Sequence, residues 1–276
     1  MQEDTAGQNG STTNRRIINE PEASRVASNN QAVAMTSSPG PKTRKRHGAR
    51  NQHKTGHFVR WLLKTFPHLD GYNKKDVTLE DTPLVVDVAG GKGECTARLS
   101  LCHRLRVVFV DPRECDPVAC FQKEVLPRLP RAWRDRIYEK LQDDPRMLEE
   151  RVSERVSQLQ MYVTDETVES CAELQDALQD AELILGLHAD GATECIVDAA
   201  IKYQKPFCVV PCCVFPNLFR QRFIQVADKE TGELNSIQVR STEHFCQYLL
   251  EKHPRFQRSV LPFEGRNVAI WWDGKN

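Results

Sequence analysis

The first 52 residues contain no leucine, phenylalanine, tryptophan, tyrosine or cysteine. A segment made of Ser, Thr, Asn, Gln, Gly and charge cannot bury enough apolar area to offset its ordering entropy, so residues 1–52 are expected to form a disordered tail. The chain also lacks any run of about 20 apolar residues, which argues against a membrane-spanning helix. Its N-terminus has no apolar core of the kind a secretion signal needs. None of the ten cysteines stands at C-x-x-C spacing to another. They are scattered through apolar stretches, which points to free thiols in a reduced, intracellular compartment, cytoplasmic or nuclear, and implies no metal.

The formal net charge of +0 conceals an asymmetry: residues 1–56 hold nine Lys/Arg against four Asp/Glu, and the rest of the chain holds 29 against 34. A basic tail on a mildly acidic core is not the profile of a domain that wraps nucleic acid with a whole face, although a local basic groove is compatible with it. The cluster at residues 42–50 (KTRKRHGAR) suits a nuclear signal, a phosphate-seeking arm or plain solvated charge. The 276 residues suffice for one α/β domain of roughly 200 to 250 residues behind that tail, so residues 53–276 are taken as the domain.

Within the core, apolar runs alternate with amphipathic stretches. Residues 57–66 (HFVRWLLKTF) carry Phe58, Trp61, Leu62 and Phe66 at helical spacing. Strands are expected at 82–89, 106–110, 159–163, 182–187 and 207–211, with helices at 94–105, 173–180, 193–205 and 242–252. Residues 112–159 are charged and punctuated by Pro127, Pro130 and Pro145; they exceed what a crossover needs and are expected to form a helical insertion of about two helices. Residues 258–263 and 267–272 flank a Glu-Gly-Arg turn and form an expected hairpin. The expected fold is therefore α/β: a Rossmann-like three-layer sandwich around a mostly parallel seven-stranded sheet, with an antiparallel C-terminal hairpin.

Asp87-Val88-Ala89-Gly90-Gly91-Lys92-Gly93 lies directly after a strand and before a helix, where a ligand can approach the main chain closely. The phosphate loop G-x-x-x-x-G-K-[ST] is absent. A dinucleotide fingerprint begun at Gly91 and Gly93 meets Thr96 where a third small residue is required. The motif instead resembles the D-x-G-x-G-x-G loop of class I S-adenosylmethionine-dependent methyltransferases, with Ala89 replacing the first glycine, and Asp111 ends the next strand where that family places its ribose-binding acid. Ala89 implies a backbone that does not need positive φ there. The resemblance implies S-adenosylmethionine as cofactor, held by Asp87, Ala89, Gly90, Gly91, Gly93 and Asp111. Asp165, after the third strand, is expected either to meet the adenine amino group or to be an ordinary turn residue. The chemistry agrees: a ribose diol and an ammonium both suit carboxylate partners.

Two further segments resemble a subset of those enzymes. Gly186-Leu187-His188-Ala189-Asp190-Gly191 and Pro211-Cys212-Cys213 are similar to the L-H-A-C-G and C-C motifs of methyltransferase-like proteins. The methyltransferase domain of glutathione S-transferase C-terminal domain-containing protein and transfer RNA ribose methyltransferases share the pattern, with Asp190 here in place of a cysteine. His188 and Asp190 are candidates for a base, should the acceptor need to lose a proton; His188 equally suits a role of shaping the pocket. Cys212, Cys213, Phe215 and Asn217, with Pro216 and Phe219, are expected to wall a substrate pocket. As metal ligands the two cysteines lack two further partners. Arg220 and Arg222 suit a phosphate, a carboxylate or a solvated helix face. The reading is a methyltransferase acting on RNA, with transfer RNA as the expected partner and no membrane. The alternatives are action on a small molecule or protein side chain, and a cofactor-binding module without catalysis.

Overall fold

Short apolar runs rich in Val, Ile and Leu form the inner strands and set the architecture. The computed structural model describes residues 53–69, 78–228 and 230–275; the expected tail at 1–52 lies outside them. Seven strands form one sheet: β1 (Leu84–Val88), β2 (Arg106–Val110), β3 (Val156–Leu159), β4 (Leu183–Leu187), β5 (Phe207–Val210), β8 (Gln257–Val260) and β9 (Val268–Trp272). Their order is β3-β2-β1-β4-β5-β9-β8. Strands β1 to β5 run parallel, and β9 runs antiparallel to both of its neighbours. The chain steps outward from β1 to β3, then returns to β4 on the other side of β1. That reversal opens a crevice beyond the carboxyl ends of β1 and β4.

Both faces of the sheet are covered, which explains why the inner strands β1, β2, β4 and β5 are nearly continuous apolar runs rather than alternating ones. Val86, Ile184, Phe207, Val209, Ile270 and Trp272 share one core cluster with residues of the helices α7 (Ala172–Asp180), α8 (Thr193–Tyr203) and α9 (Thr242–Glu251). Val85, Leu183, Leu185, Cys208 and Val210 face the other way, against Phe58 and Leu62 of α1 (Lys54–Thr65) and Cys95 of α2 (Glu94–Ala97). This is the strand period of two, expressed on two buried faces.

The expected helix at 94–105 is α-helical only over α2 and continues as a π-helical turn, Arg98–Cys102. Ser100 Oγ donates back to the Thr96 carbonyl at 2.8 Å, a bond that loosens the local ladder. The insertion comprises α3 (Pro117–Cys120) with its irregular continuation to Arg128, α4 (Arg131–Asp143) and α5 (Met147–Arg155). It packs through Cys120, Phe121, Val125, Leu126 and Leu148 onto Ala97 and Cys102, beside the sheet rather than over it.

The third strand lies earlier than the expected 159–163. Val156–Leu159 pairs with β2 in the register Val107↔Val156 to Val110↔Leu159. It is an edge strand carrying Ser157 and Gln158, so its apolar signal is weak. Met161 and Val163 beyond it are half-buried against the core without joining the ladder. After a short helix α6 (Asp165–Ser170) the order of elements is as expected up to β5. The hairpin β6 (Phe223–Ala227) and β7 (Leu234–Gln238), a separate two-stranded sheet, was not foreseen. Of β6 only Ile224 is buried, so its pattern has almost no core face to reveal it.

Arg222, which precedes that hairpin, is neither a surface ligand nor on a helix. It is 2% exposed. Its Nε donates to Glu194 Oε2 at 2.6 Å, its Nη1 donates to the Val214 carbonyl at 3.2 Å, and its guanidinium lies over Phe219 and Phe245. Glu194 also accepts from Tyr248 Oη and pairs with Lys252. Truncating one member of a buried pair strands the other. Glu194→Ala is therefore expected to lower unfolding free energy by about 3–5 kcal/mol. Glu243→Ala, which removes the surface pair with Arg258, should lower it by less than about 1 kcal/mol. Urea unfolding of both variants checks this, and equal losses would contradict it.

Candidate functional site

The glycine loop leaves β1 at its carboxyl end, and its first residue is still held by the sheet: Ala89 N donates to the Val110 carbonyl at 2.7 Å. Ala89 has φ of +52°. The expectation that alanine marks a right-handed backbone here is wrong. The sheet bond fixes its amide while the chain turns sharply, and alanine adopts the left-handed region at some strain. Gly91 and Gly93 share that sign of φ, at +63° and +74°. Gly90 is required for space instead: a Cβ there would stand 2.6 Å from Phe109 Cε2 and 2.8 Å from Asp87 Oδ2.

Asp87, the fourth residue of β1, is fully buried. Thr96 Oγ1 donates to its Oδ2 at 2.7 Å, while Oδ1 has no partner. Burial raises its pKa to about 7; hydrogen bonds from Thr96 oppose the rise and the Asp111 charge adds to it. A cavity of about 220 Å³ is lined by Asp87, Gly90, Lys92, Glu94, Cys95 and Leu187, and by Lys54 and Thr55 from the first turn of α1. Thr55 Oγ1 ties that turn down by donating to Glu94 Oε2 at 3.1 Å. The cavity is thus bordered by carboxylates and ammonium groups together. Sequence reasoning finds Asp87 and Gly90 but passes over Lys54 and Thr55, whose signal is a polar pair opening an amphipathic helix.

Asp111 follows β2 and is 1% exposed. Its Oδ2 accepts from Gly91 N at 2.9 Å, which ties the loop to the second strand. Arg113 grips the same carboxylate: its N and Nε donate to Oδ1 at 3.0 Å each, and Nη2 donates to Oδ2 at 3.2 Å. Burial would raise the pKa, but the Arg113 and Gly91 hydrogen bonds and the Arg113 charge outweigh it and hold the carboxyl below its ordinary value. Asp165 stands at the first position of α6, where it accepts from Cys195 Sγ at 3.2 Å.

The loops after β4 and β5 begin side by side, because Leu187 pairs with Val210. His188 N donates to the Val210 carbonyl at 3.1 Å, and φ is +61° at His188 and +48° at Asp190. Nε2 of His188 is buried without a partner. Burial, then the Lys54 charge, pushes its pKa down to about 4 against the pull of Asp190. Cys212 Sγ donates to Asp190 Oδ1 at 2.9 Å. Burial and that hydrogen bond push the Cys212 thiol up to about 12; the Cys213 thiol is raised chiefly by its own hydrogen bond to Asp190. Phe215 is 41% exposed with φ of +49°. Asn217 is exposed, and its carbonyl accepts from Arg220 Nε at 3.2 Å.

No family model matches the chain, and no curated protein matches it. Three solved structures to which it is similar differ in acceptor. An O-methyltransferase family protein from Burkholderia thailandensis is 14% identical with a TM-score of 0.34; the match covers 82% of this chain and 60% of that one. An RNA methyltransferase from Salinibacter ruber in complex with S-adenosyl-L-homocysteine is 12% identical with a TM-score of 0.30, covering 62% of this chain and 76% of that one. A 1,6-didemethyltoxoflavin-N1-methyltransferase from Burkholderia thailandensis, bound to 1,6-didemethyltoxoflavin and S-adenosylhomocysteine, is 14% identical with a TM-score of 0.32, covering 86% and 91%. The chain spans about three fifths of the length of the first of these.

The buried Asp87 carboxyl makes stability depend on pH in a defined sense. Its folded pKa of about 7 lies above the ordinary 3.8. Between those values the unfolded chain has lost this proton and the folded chain has kept it. The contribution is therefore complete below pH 3.8 and is lost as pH rises through 7, by about 4 kcal/mol in total. His188 acts oppositely: its pKa falls on folding from 6.5 to about 4, so its contribution is present above 6.5 and lost as pH falls. The difference between wild type and Asp87→Asn isolates the first effect. In urea unfolding from pH 4 to pH 8, the variant should gain stability relative to wild type as pH rises; a constant difference would contradict the assignment.

Proposed function

We propose that this chain binds S-adenosylmethionine across the carboxyl ends of β1, β2 and β4 and transfers its methyl group to RNA. The observation that carries the cofactor is the buried, unpartnered Oδ1 of Asp87 beside the Gly90 cradle. A buried acceptor without a donor invites one from a ligand. The cavity before it presents Asp87 and Glu94 with Lys54 and Lys92, which suits the ammonium and carboxylate of an amino acid. Asp111, at the end of the neighbouring strand, suits a ribose diol once Arg113 swings off it. Arg113 is largely exposed, at 70%, so its movement into solvent is inexpensive.

When bound, the cofactor supplies an electrophilic methyl group, and the protein supplies alignment. His188 stays neutral above about pH 4, and its buried Nε2 has no partner among the described residues; it is assigned to orient an acceptor hydroxyl at the cleft, since a base of so low a pKa is poorly matched to taking its proton. Asp190, already accepting from Cys212, is less suited to that role. Cys212, Cys213, Phe215 and Asn217 follow β5 on the same edge and are assigned to the acceptor side. Asp165 is assigned no more than the rim.

Titration calorimetry of S-adenosylmethionine into the full chain tests the cofactor. Asp111→Ala should weaken binding more than tenfold, about 1.4 kcal/mol. Arg113→Ala should leave it equal or tighter, because a competitor for the carboxylate is gone. His188→Ala should keep the affinity and lose turnover. Absence of binding by the unmutated chain would sink the proposal.

RNA is favoured as acceptor by the outer face of α1. His53, His57, Arg60 and Lys64 recur at helical spacing and line a groove of about 520 Å³ with Arg98, His103, Arg128 and Trp133. Arg60 and Lys64 are exposed, and Trp133 is 40% exposed. Cations flanking an aromatic face suit a phosphodiester chain and a stacked base. The first turn of α1 contributes to both spaces, Lys54 and Thr55 to the cavity and His53, Gly56 and His57 to the groove. A strand laid in the groove is thereby led toward the cavity.

Binding of single-stranded RNA as a function of salt tests this. Replacing Arg60 and Lys64 by Ala should make the slope of log K against log salt shallower by about 1.4. Trp133→Ala should weaken binding with little change of slope. A slope indifferent to Arg60 and Lys64 would point to a small-molecule or protein acceptor instead.

A further inference from the structure

Cys212, Cys213 and Asp190 form the one cluster among the described residues whose donor atoms could hold a metal ion: the two Sγ atoms and a carboxylate oxygen lie within 4.8 Å of one another. Sequence spacing hides the cluster, because two adjacent cysteines without a C-x-x-C partner lack enough ligands. The fold supplies the third. Asp190 follows β4, the cysteines follow β5, and the two loops start from paired strand ends. Consecutive residues of a strand project to opposite faces. Here the strand ends at Val210, and the irregular backbone beyond Pro211 lets both thiols turn to one side.

We infer that this trio is a zinc site: Cys212 Sγ, Cys213 Sγ and one Asp190 oxygen bind a single Zn²⁺, with one coordination position left open. A tetrahedral ion with Zn–S bonds of about 2.3 Å separates its donors by about 3.8 Å. The Cys212 Sγ to Asp190 Oδ1 distance of 2.9 Å must open by less than about 1 Å, and no pair must close by more than about that amount. Two thiolates and one carboxylate are a donor set that suits Zn²⁺ over the hard ions Mg²⁺ and Ca²⁺. Asp190 is exposed and the cysteines half-buried, so the fourth position faces outward, as in open zinc sites. The inference does not depend on the methyl-transfer reading, since it concerns these three side chains alone.

The test uses the full chain, reduced and stripped with a chelator, then titrated with Co²⁺ and back-titrated with Zn²⁺. One Co²⁺ per chain is expected, with thiolate-to-cobalt absorption and the visible bands of a four-coordinate ion, both abolished by Zn²⁺. Cys212→Ser and Cys213→Ser should each remove roughly half of the thiolate band, because one of the two thiolates remains. Asp190→Asn should weaken binding at least tenfold. Cys195→Ser, whose thiol is turned to Asp165 instead, should change nothing. Circular dichroism reports whether each variant folds. Asp190→Cys keeps three donors and is expected to bind Zn²⁺ at least as tightly, so a ligand effect can be told from an unfolded variant. A cobalt band that survives in the double serine variant would overturn the site, as would no thiolate band in the wild type. So would a Cys212–Cys213 disulfide, seen by mass, that re-forms in air with Zn²⁺ present.

Discussion

A carboxylate with no exposure, in an interior strand of the sheet and satisfied at only one of its oxygens, is the constraint around which this edge of the fold is arranged. Asp87 could be replaced by valine without disturbing the apolar run of β1. Its presence raises the energy of the folded chain at neutral pH, because burial opposes its charge. The surroundings are fitted to it. Thr96 sits in the first turn of α2 with its hydroxyl on Oδ2, and Gly90 has no Cβ because Asp87 and Phe109 already occupy that space. Phe109 is in turn placed by the register that sets it opposite Asp87 on β2. The strand, the loop and the helix are thus mutually dependent at one carboxyl group.

The second acid has a different economy. Asp111 is also nearly inaccessible, yet its oxygens are fully engaged, by Gly91 on one side and by Arg113 on the other. Its charge is held rather than resisted. The Gly91 bond stiffens the loop, whereas the Arg113 side chain reaches in from solvent. A rigid bond and a removable one on the same carboxylate let the group keep its place in the fold while its outer face changes partners.

How far the sequence disclosed this can be judged residue by residue. The strand at 106–110 and its terminal acid were legible because a continuous apolar run ends abruptly in charge. The third strand was misplaced because an edge strand shows half a pattern, and hydrogen bonds to β2 decide its position. Arg222 was read as a surface cation because sequence carries no sign of the Phe219 and Phe245 rings that close over it. Lys54 and Thr55 escaped notice because their role comes from the docking of α1 beside the loop after β1. The meeting of Asp190 with Cys212 was likewise invisible, since 22 residues separate them and only the pairing of β4 with β5 unites them.

The backbone strain is distributed with the same logic. Six non-glycine residues among those described have positive φ. Gln204 caps α8 and Arg104 follows the π-helical turn, which are ordinary helix-ending positions. The other four, Ala89, His188, Asp190 and Phe215, all lie in the loops after β1, β4 and β5. Left-handed backbone at such residues costs on the order of 1–2 kcal/mol each. In two cases the restraint is visible: Ala89 N and His188 N each add one more rung to the ladder beyond the last strand residue, to Val110 and Val210. The sheet therefore holds the first loop residue in line and forces the turn onto it. Because that restraint comes from backbone hydrogen bonds, the direction in which the His188 side chain leaves the sheet is fixed by β4 and β5 themselves.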